Sequence, residues 1–255
     1  MNTRLPLLSI ITVVYNNVKG LQHTFQTIHN QTGKDFEWII IDGNSTDGTK
    51  EWIQALTLPY LRYTSEKDKG IYDAMNKGLS IASGSYVWFM NSGDGIYHPE
   101  TIDALMKISG HPDVLYGETM LVNTAGEQLG IRSEQTTRVL PEHLTARSMI
   151  KGMVVCHQSF IVKKAITTPY NLNYRYSADI DWVISCLERA DSVYNCKQII
   201  ASYLVGGFSI QHQQGGWKER WAIYVVHYGL FLTACAHLFI GLRYILKNKI
   251  FNRKH

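Results

Sequence analysis

Three short acidic stretches in this chain carry residue types that can do chemistry. "IIIDGNSTDGT" (Ile39–Thr49) ends an apolar run on Asp42 and then turns. "FMNSGD" (Phe89–Asp94) ends a second apolar run on Asn91, Ser92, Gly93 and Asp94. "SADIDW" (Ser177–Trp182) sets Asp179 and Asp181 on either side of one residue, where a helical period begins. A carboxylate at a strand end, as expected for Asp42, can accept hydrogen bonds from the edge of a base or from a ribose hydroxyl. An acid beside Asn and Ser offers hard oxygen ligands to Mg²⁺ or Mn²⁺, with phosphate oxygens and waters filling the other positions. An acid in a first helical turn can cap the helix or, facing a cleft, deprotonate a hydroxyl. Each stretch also has a plainer reading as a polar turn or a helix cap.

These residues need elements that deliver them to one place. Leu7–Val14, Phe36–Ile41 and Tyr86–Met90 are apolar throughout and read as buried strands, with a shorter one at Leu61–Thr64. Between them, Val18–Gln31, Asp47–Leu56 and Tyr72–Ala82 carry the three-to-four spacing of half-buried helices, as does Thr101–Ile108. Fully apolar strands alternating with helices predict a mostly parallel sheet covered on both faces, which binds ligands at the carboxyl ends of its strands. Past Gly110 the rhythm changes. Val114–Asn123, Cys156–Lys164 and Val193–Tyr203 read as strands, Gln135–Pro141 as a loop, Ile180–Arg189 as a helix and Gly206–Ser209 as a turn.

The formal charge of +4 misdescribes the body. Arg243, Lys247, Lys249, Arg253 and Lys254 fall in the final fifteen residues, which hold no acid; without them twenty basic residues face twenty-one acidic ones. A neutral body with a basic tail argues against nucleic-acid binding. The four cysteines form no C-x-x-C pair and suit a reducing cytoplasm. Leu5–Val14 is short, runs straight into patterned sequence and does not read as a signal peptide. The stretch 221–242 has no Asp, Glu, Lys or Arg, but His227, Thr233 and His237 dilute it. It reads first as a helix lying on a membrane surface beside the basic tail, with a packed soluble helix and a true span as alternatives. P-loop, dinucleotide, esterase and H-E-x-x-H motifs are all missing. His157, in "CHQSF", reads by itself as a core histidine.

In order and together, "SIITVVYNN", "IIIDGNSTDGT", "SEKDKGIYDAMNKG" and "FMNSGD" resemble the family 2 glycosyltransferases, over about Leu7–Ser209. The wording is most similar to the subgroup of colanic acid biosynthesis glycosyltransferases. The resemblance implies a GT-A fold, a Rossmann-like, mostly parallel α/β sheet flanked by helices. Its domain would occupy 1–210, with a nucleotide-sugar half (1–110) and an acceptor half (111–210), followed by an amphipathic helix and basic tail (211–255). It implies an inverting hexosyl transfer from a nucleoside-diphosphate sugar, a UDP-sugar, to a glycan or polyprenyl-linked acceptor, at the inner face of the cytoplasmic membrane.

Residue by residue, the resemblance places Thr12, Val14, Tyr15 and Asp42 at the nucleotide. Asp68, Lys69 and Asn76 would border nucleotide and sugar, with Asn91 and Ser92 beside them. Asp94 would hold Mn²⁺ or Mg²⁺ on the diphosphate. Asp179, with Asp181 as second choice, would be the general base, and His157 and Gln158 would lie near acceptor or diphosphate. The chain departs from the family pattern at Gly43, Met75, Asn91, Gly93 and Ala178, and it lacks the Q-x-x-R-W signature of processive synthases. Two rival readings are a sugar nucleotidyltransferase, which should show a Gly-rich basic first loop where this chain has "VYNNVKG", and a non-catalytic subunit of a membrane assembly.

Overall fold

The structure, a computed structural model, describes residues 5–206 and 213–251. The turn expected at Gly206–Ser209 lies past Gly206 outside the described residues, as do Arg253 and Lys254 and the side chains of Arg243, Lys247 and Lys249.

Strands β1 (Leu8–Val14) and β2 (Phe36–Asp42) are buried at every position. Apolar side chains alternate between two cores. Ile11, Ile39 and Ile41 pack with Met75 and Leu79 of helix α3 (Ile71–Ile81), while Leu8, Ile10, Trp38 and Ile40 pack with Leu21 and Ile28 of helix α1 (Val18–His29). Both faces being covered is why these strands read as unbroken apolar runs. Each fully buried aliphatic side chain contributes about 1.5–3 kcal/mol relative to exposure.

β3 (Leu61–Ser65), β2, β1 and β4 (Tyr86–Phe89) lie side by side and run parallel, with α2 (Thr49–Ala55) and α3 in the connections. Val14 pairs with Asp42 and Asp42 with Ser65, so the three strand ends stand level. The parallel character expected of the sheet holds in this half. The other half is mixed: β8 (Phe160–Lys163) runs antiparallel to β4 and to β6 (Val114–Val122), while β9 (Val193–Leu204) runs parallel to β6. β7 (Gln128–Ile131) pairs with β6, and β5 (Gly95–Ile96) closes the far edge on β9. β7, β5 and the short α5 (Arg132–Gln135) escape a pattern search because they are too brief to show a period. Cys156–Lys164 begins with a 3-10 turn at His157–Ser159 before the strand starts.

β4 and β5 are separated by only Met90–Asp94, yet three strands lie between them in the sheet. Crossing that width flat would need about 19 Å at ~4.8 Å per strand spacing. The connecting segment is folded into a turn, Asp94 N–H donating to Asn91 O, so the sheet curls and brings β5 back towards the end of β4. Asp94 lies in that turn, directly ahead of β5.

Helices α4 (Thr101–Met106) and α6 (Ala178–Arg189) complete the flanks. The terminal helix α7 (Gln213–Phe251) is broken at Gly229, whose φ of 78° and ψ of 165° are not helical. By length and composition Gly216–Gly241 would suffice to cross a membrane. Here, however, its two arms fold back on each other, with the His237 ring 4.8 Å from Trp221 and 5.5 Å from Tyr224. The first arm packs into the body. Ile223 and Tyr224 are fully buried, and the Tyr224 and Tyr228 hydroxyls donate to Met149 O and Ala146 O, each at 2.6 Å. The second arm leaves Leu230, Phe231, Leu238 and Phe239 exposed.

Candidate active site

The carboxyl ends of β1, β2 and β4 gather the first two acidic stretches. Ser92 N–H donates to Val13 O at 3.2 Å and Gly43 N–H to Val14 O at 2.9 Å, so the Asp42 and Asp94 turns flank the end of β1 on one edge of the sheet. The third acid reaches the same edge through Tyr72. That residue stands in the first turn of α3, which begins at the carboxyl end of β3, and its hydroxyl donates to Asp179 Oδ1 at 3.1 Å.

Asp42 is fully buried. Its carboxylate accepts from Ser45 N–H and Oγ–H and from the Ser65 hydroxyl at 2.6 Å, which fixes the turn. Asp47, one residue ahead of the N-cap Gly48 of α2, accepts from Thr49 N–H at 3.1 Å and ties in α1 through Val18 N–H at 3.0 Å. Tyr15 is exposed beside them. A side chain at Gly43 would start 2.6 Å from Asp68 Oδ2 and 3.2 Å from the Tyr15 ring. Asp68 thus stands over the position where the family pattern has an acid and this chain has glycine. Lys69 is exposed, its N–H donating to Asp73 at 3.0 Å.

Asp94 is 5% exposed. Leu204 N–H donates to its Oδ1 at 3.0 Å and the Gln158 amide to its Oδ2 at 2.8 Å; Cys156 Sγ–H holds the other end of that amide at 3.1 Å. Burial pushes the Asp94 carboxyl up to about 7 against the pull of those two donors. Helix α1 anchors the turn, the Thr24 hydroxyl donating to Asp94 O at 2.6 Å. Beside it, Asn91 Oδ1 is buried without a hydrogen-bond partner. An unsatisfied buried acceptor costs about 1–3 kcal/mol, and a cation would satisfy it. Among the described residues no group of three or more His, Cys, Asp or Glu could hold a metal alone. The donor set, one carboxylate and one amide oxygen, instead fits Mg²⁺ or Mn²⁺ that takes its remaining ligands from a diphosphate and water.

Gly93 has φ +103°, and a Cβ there would lie 2.9 Å from Leu204 Cδ2. The turn therefore disfavours, chiefly through its left-handed backbone, the acid that the family pattern would place at this position. Gly93→Asp should lower Tm by roughly 5 °C in a thermal scan through left-handed strain and collision with Leu204, and should gain no metal affinity.

Asp179 is pushed up by burial; the Tyr72 hydroxyl and, more weakly, the charge of Arg138 pull it back. Asp181 faces elsewhere, its Oδ1 2.9 Å from His227 Nε2, whose other nitrogen meets Glu188 Oε1 at 2.9 Å. Three expected site residues are occupied with the fold. Thr12 is buried and accepts from Trp38 Nε1–H at 2.9 Å. Asn76 gives both ends of its amide to the Tyr170 backbone, at 3.0 and 2.7 Å. His157 lies among Phe89, Trp182 and Tyr170 with Nε2 2.7 Å from the Tyr170 hydroxyl, and burial pushes its pKa down to about 4. Its neighbour Gln158 is the one that reaches Asp94. Tyr72, Tyr170 and Ser65 escape the sequence reading because their partners lie 13 to 107 residues away, whereas Ser45 bonds Asp42 only three residues back, within the turn that the sequence does indicate.

Comparison with known proteins accords with this geometry. Residues 9–167 match the family model "Glycosyl transferase family 2". The chain is 30% identical over 209 residues to a PGL/p-HBAD biosynthesis glycosyltransferase of Mycobacterium bovis, spanning 78% of this chain and 77% of that protein. It is 25% identical over 230 residues to the putative teichuronic acid biosynthesis glycosyltransferase TuaG of Bacillus subtilis, spanning 86% and 87%. The structure of S. aureus TarS 1–349 in complex with UDP-GlcNAc superposes with a TM-score of 0.63 at 20% identity, over 86% of this chain and 65% of that one. The chain thus spans a little under two thirds of the TarS fragment, and at that identity the likeness concerns the fold, which is GT-A. On the family match and the length of the mycobacterial alignment, the chain belongs to glycosyl transferase family 2.

Proposed function

We propose that the protein moves a hexose from a UDP-sugar to a hydroxyl of a glycan or polyprenyl-linked acceptor. The product would be bacterial surface polysaccharide of the colanic acid type, and the transfer a single inverting displacement. The observation that carries this reading is the gathering of Asp42, Asp94 and Asp179 at one sheet edge, with two of the three held above the ordinary carboxylate range. Residues 1–110 supply the donor pocket, where Tyr15, Asp42, Asp68, Lys69, Asn91 and Ser92 surround base, ribose and sugar. Residues 111–210 supply the acceptor side.

A nucleoside diphosphate leaves readily only when its charge is held. Asp94 and Asn91 Oδ1 would hold Mn²⁺ or Mg²⁺, which would supply positive charge against the leaving diphosphate. Asp179 takes the proton of the acceptor hydroxyl; a raised pKa makes it a stronger base near neutrality than an exposed Asp. Tyr72 orients that carboxylate and Gln158 orients Asp94.

The second arm of α7 suits the cytoplasmic face of a bilayer. Phe231 and Leu238 are 79% and 67% exposed on it, and five basic residues follow in the sequence. Anionic lipid adds about 1 kcal/mol for each Lys or Arg near the surface. The doubly substituted Phe231→Ser, Leu238→Ser protein should sediment with anionic vesicles about tenfold less than wild type, with its Tm unchanged. Equal sedimentation of both would remove the membrane from this reading.

Calorimetric titration of UDP and GDP, with and without Mn²⁺, tests the donor class. Metal-dependent binding of UDP alone is expected. Binding of GDP alone would change the donor, and binding of neither would overturn the reading.

A further inference from the structure

We propose that Glu219, on the first arm of the terminal hairpin, is a positioning residue for Asp179, which makes this arm a working part of the active site. The proposal rests on Asp179 being the base. The chain entering α6 makes no side-chain cap of its own at Ser177. The hairpin instead clamps the segment that leads into the helix. Glu219 Oε1 accepts from Arg175 N–H at 2.8 Å, and its Oε2 accepts from Tyr176 N–H at 2.8 Å and Ser177 N–H at 2.9 Å. Ser177 Oγ–H adds a bond to Gly216 O at 3.3 Å.

One carboxylate therefore gathers three consecutive backbone donors immediately ahead of Ala178 and Asp179. Charge-assisted bonds of this kind are roughly twice as strong as neutral ones. Two helical turns along the same face, His227 bridges Asp181 and Glu188, so the arm grips α6 at its start and along its length. Asp179 is thus held from two sides: Tyr72 binds its carboxylate, and Glu219 fixes the backbone on which it stands. The donor-side residues sit on β1, β2 and the β4 turn and do not touch this arm through any of these bonds. Loosening Glu219 should therefore misplace the base while leaving the nucleotide site intact. A displacement on the order of 1 Å can cost up to ~100-fold in rate.

The test uses the full-length protein with Glu219→Gln, which keeps the shape but loses the charge and one acceptor. Donor hydrolysis, with water in place of the acceptor, is measured in wild-type and Asp179→Asn backgrounds. Expected are a fall in kcat of about tenfold, a donor KM within about twofold, unchanged UDP affinity and a Tm within about 3 °C of wild type. In the Asp179→Asn background Glu219→Gln should cause no further fall, since there is no base left to position. Wild-type kcat in Glu219→Gln would overturn the proposal, as would an equal fall in both backgrounds. An Asp179→Asn protein that hydrolyses donor as fast as wild type would instead overturn the assignment of Asp179, and the proposal with it.

Discussion

Asp179→Asn is expected to turn over a UDP-sugar about a thousandfold more slowly than wild type while binding UDP equally well, within the 10²–10⁴ range of general-base catalysis. Asparagine keeps the size of the side chain and can still accept from Tyr72, so the loss reports the proton acceptor and not the fold. The pH profile sharpens the test. Burial raises the Asp179 carboxyl, so kcat/KM in the wild type should fall as pH drops, at a pH above that of an exposed Asp. The Asp179→Asn protein should lack that limb. Asp181→Asn, which disturbs only the contact with His227, should keep it. Steady-state rates from pH 5 to 9 on the three proteins decide the matter.

Asp94→Asn should do two opposite things: abolish metal-dependent nucleotide binding and make the protein more stable at alkaline pH. The Asp94 carboxyl titrates near 3.8 when unfolded and near 7 when folded. Between those values the folded state holds a proton that the unfolded state has released, so the stability contribution is full below about pH 4 and is lost as pH rises through 7. Asparagine removes the buried charge that causes the loss. At pH 8 the variant should gain on the order of 2 kcal/mol, or roughly 5 °C in Tm, and at pH 4 it should match wild type. Mn²⁺ should raise the wild-type Tm at pH 8 and leave the variant's unmoved. The same titration predicts that wild-type metal affinity weakens as pH drops below 7, because a proton competes for Asp94. Thermal scans at the two pH values, with and without Mn²⁺, check every part of this.

The first half of the chain was legible in the sequence because burial on both faces writes itself as continuous apolar strands. Leu8–Val14 and Phe36–Asp42 needed no context to be found, and Asp42 and Asp94 followed from their places at strand ends. The second half was less legible for a physical reason. Its sheet is mixed and its strands are short or half exposed, so β5, β7 and the 3-10 turn before β8 leave no period. Position alone also misleads about side-chain direction. Thr12 and Asn76 fall where the family pattern has site residues, yet one bonds Trp38 in the core and the other the backbone of Tyr170. Conversely, Gln158 and Glu219 act across 64 and 42 residues or more, and no local pattern encodes such pairings. The hairpin at Gly229 was hidden by the same uniformity that makes 221–242 look like one helix. Only the packing of Trp221 and Tyr224 on His237 reveals it.

On the proposed function, the sheet edge that gathers Asp94 and Asp179 performs an inverting displacement at the anomeric carbon. Real-time proton NMR of slow hydrolysis of an α-linked UDP-sugar, with Mn²⁺ present, tests it most directly. The account predicts that the β anomer appears first and mutarotates later, and that Asp179→Asn suppresses its release while UDP still binds. First release of the α anomer, or hydrolysis unaffected by Asp179→Asn, would contradict it.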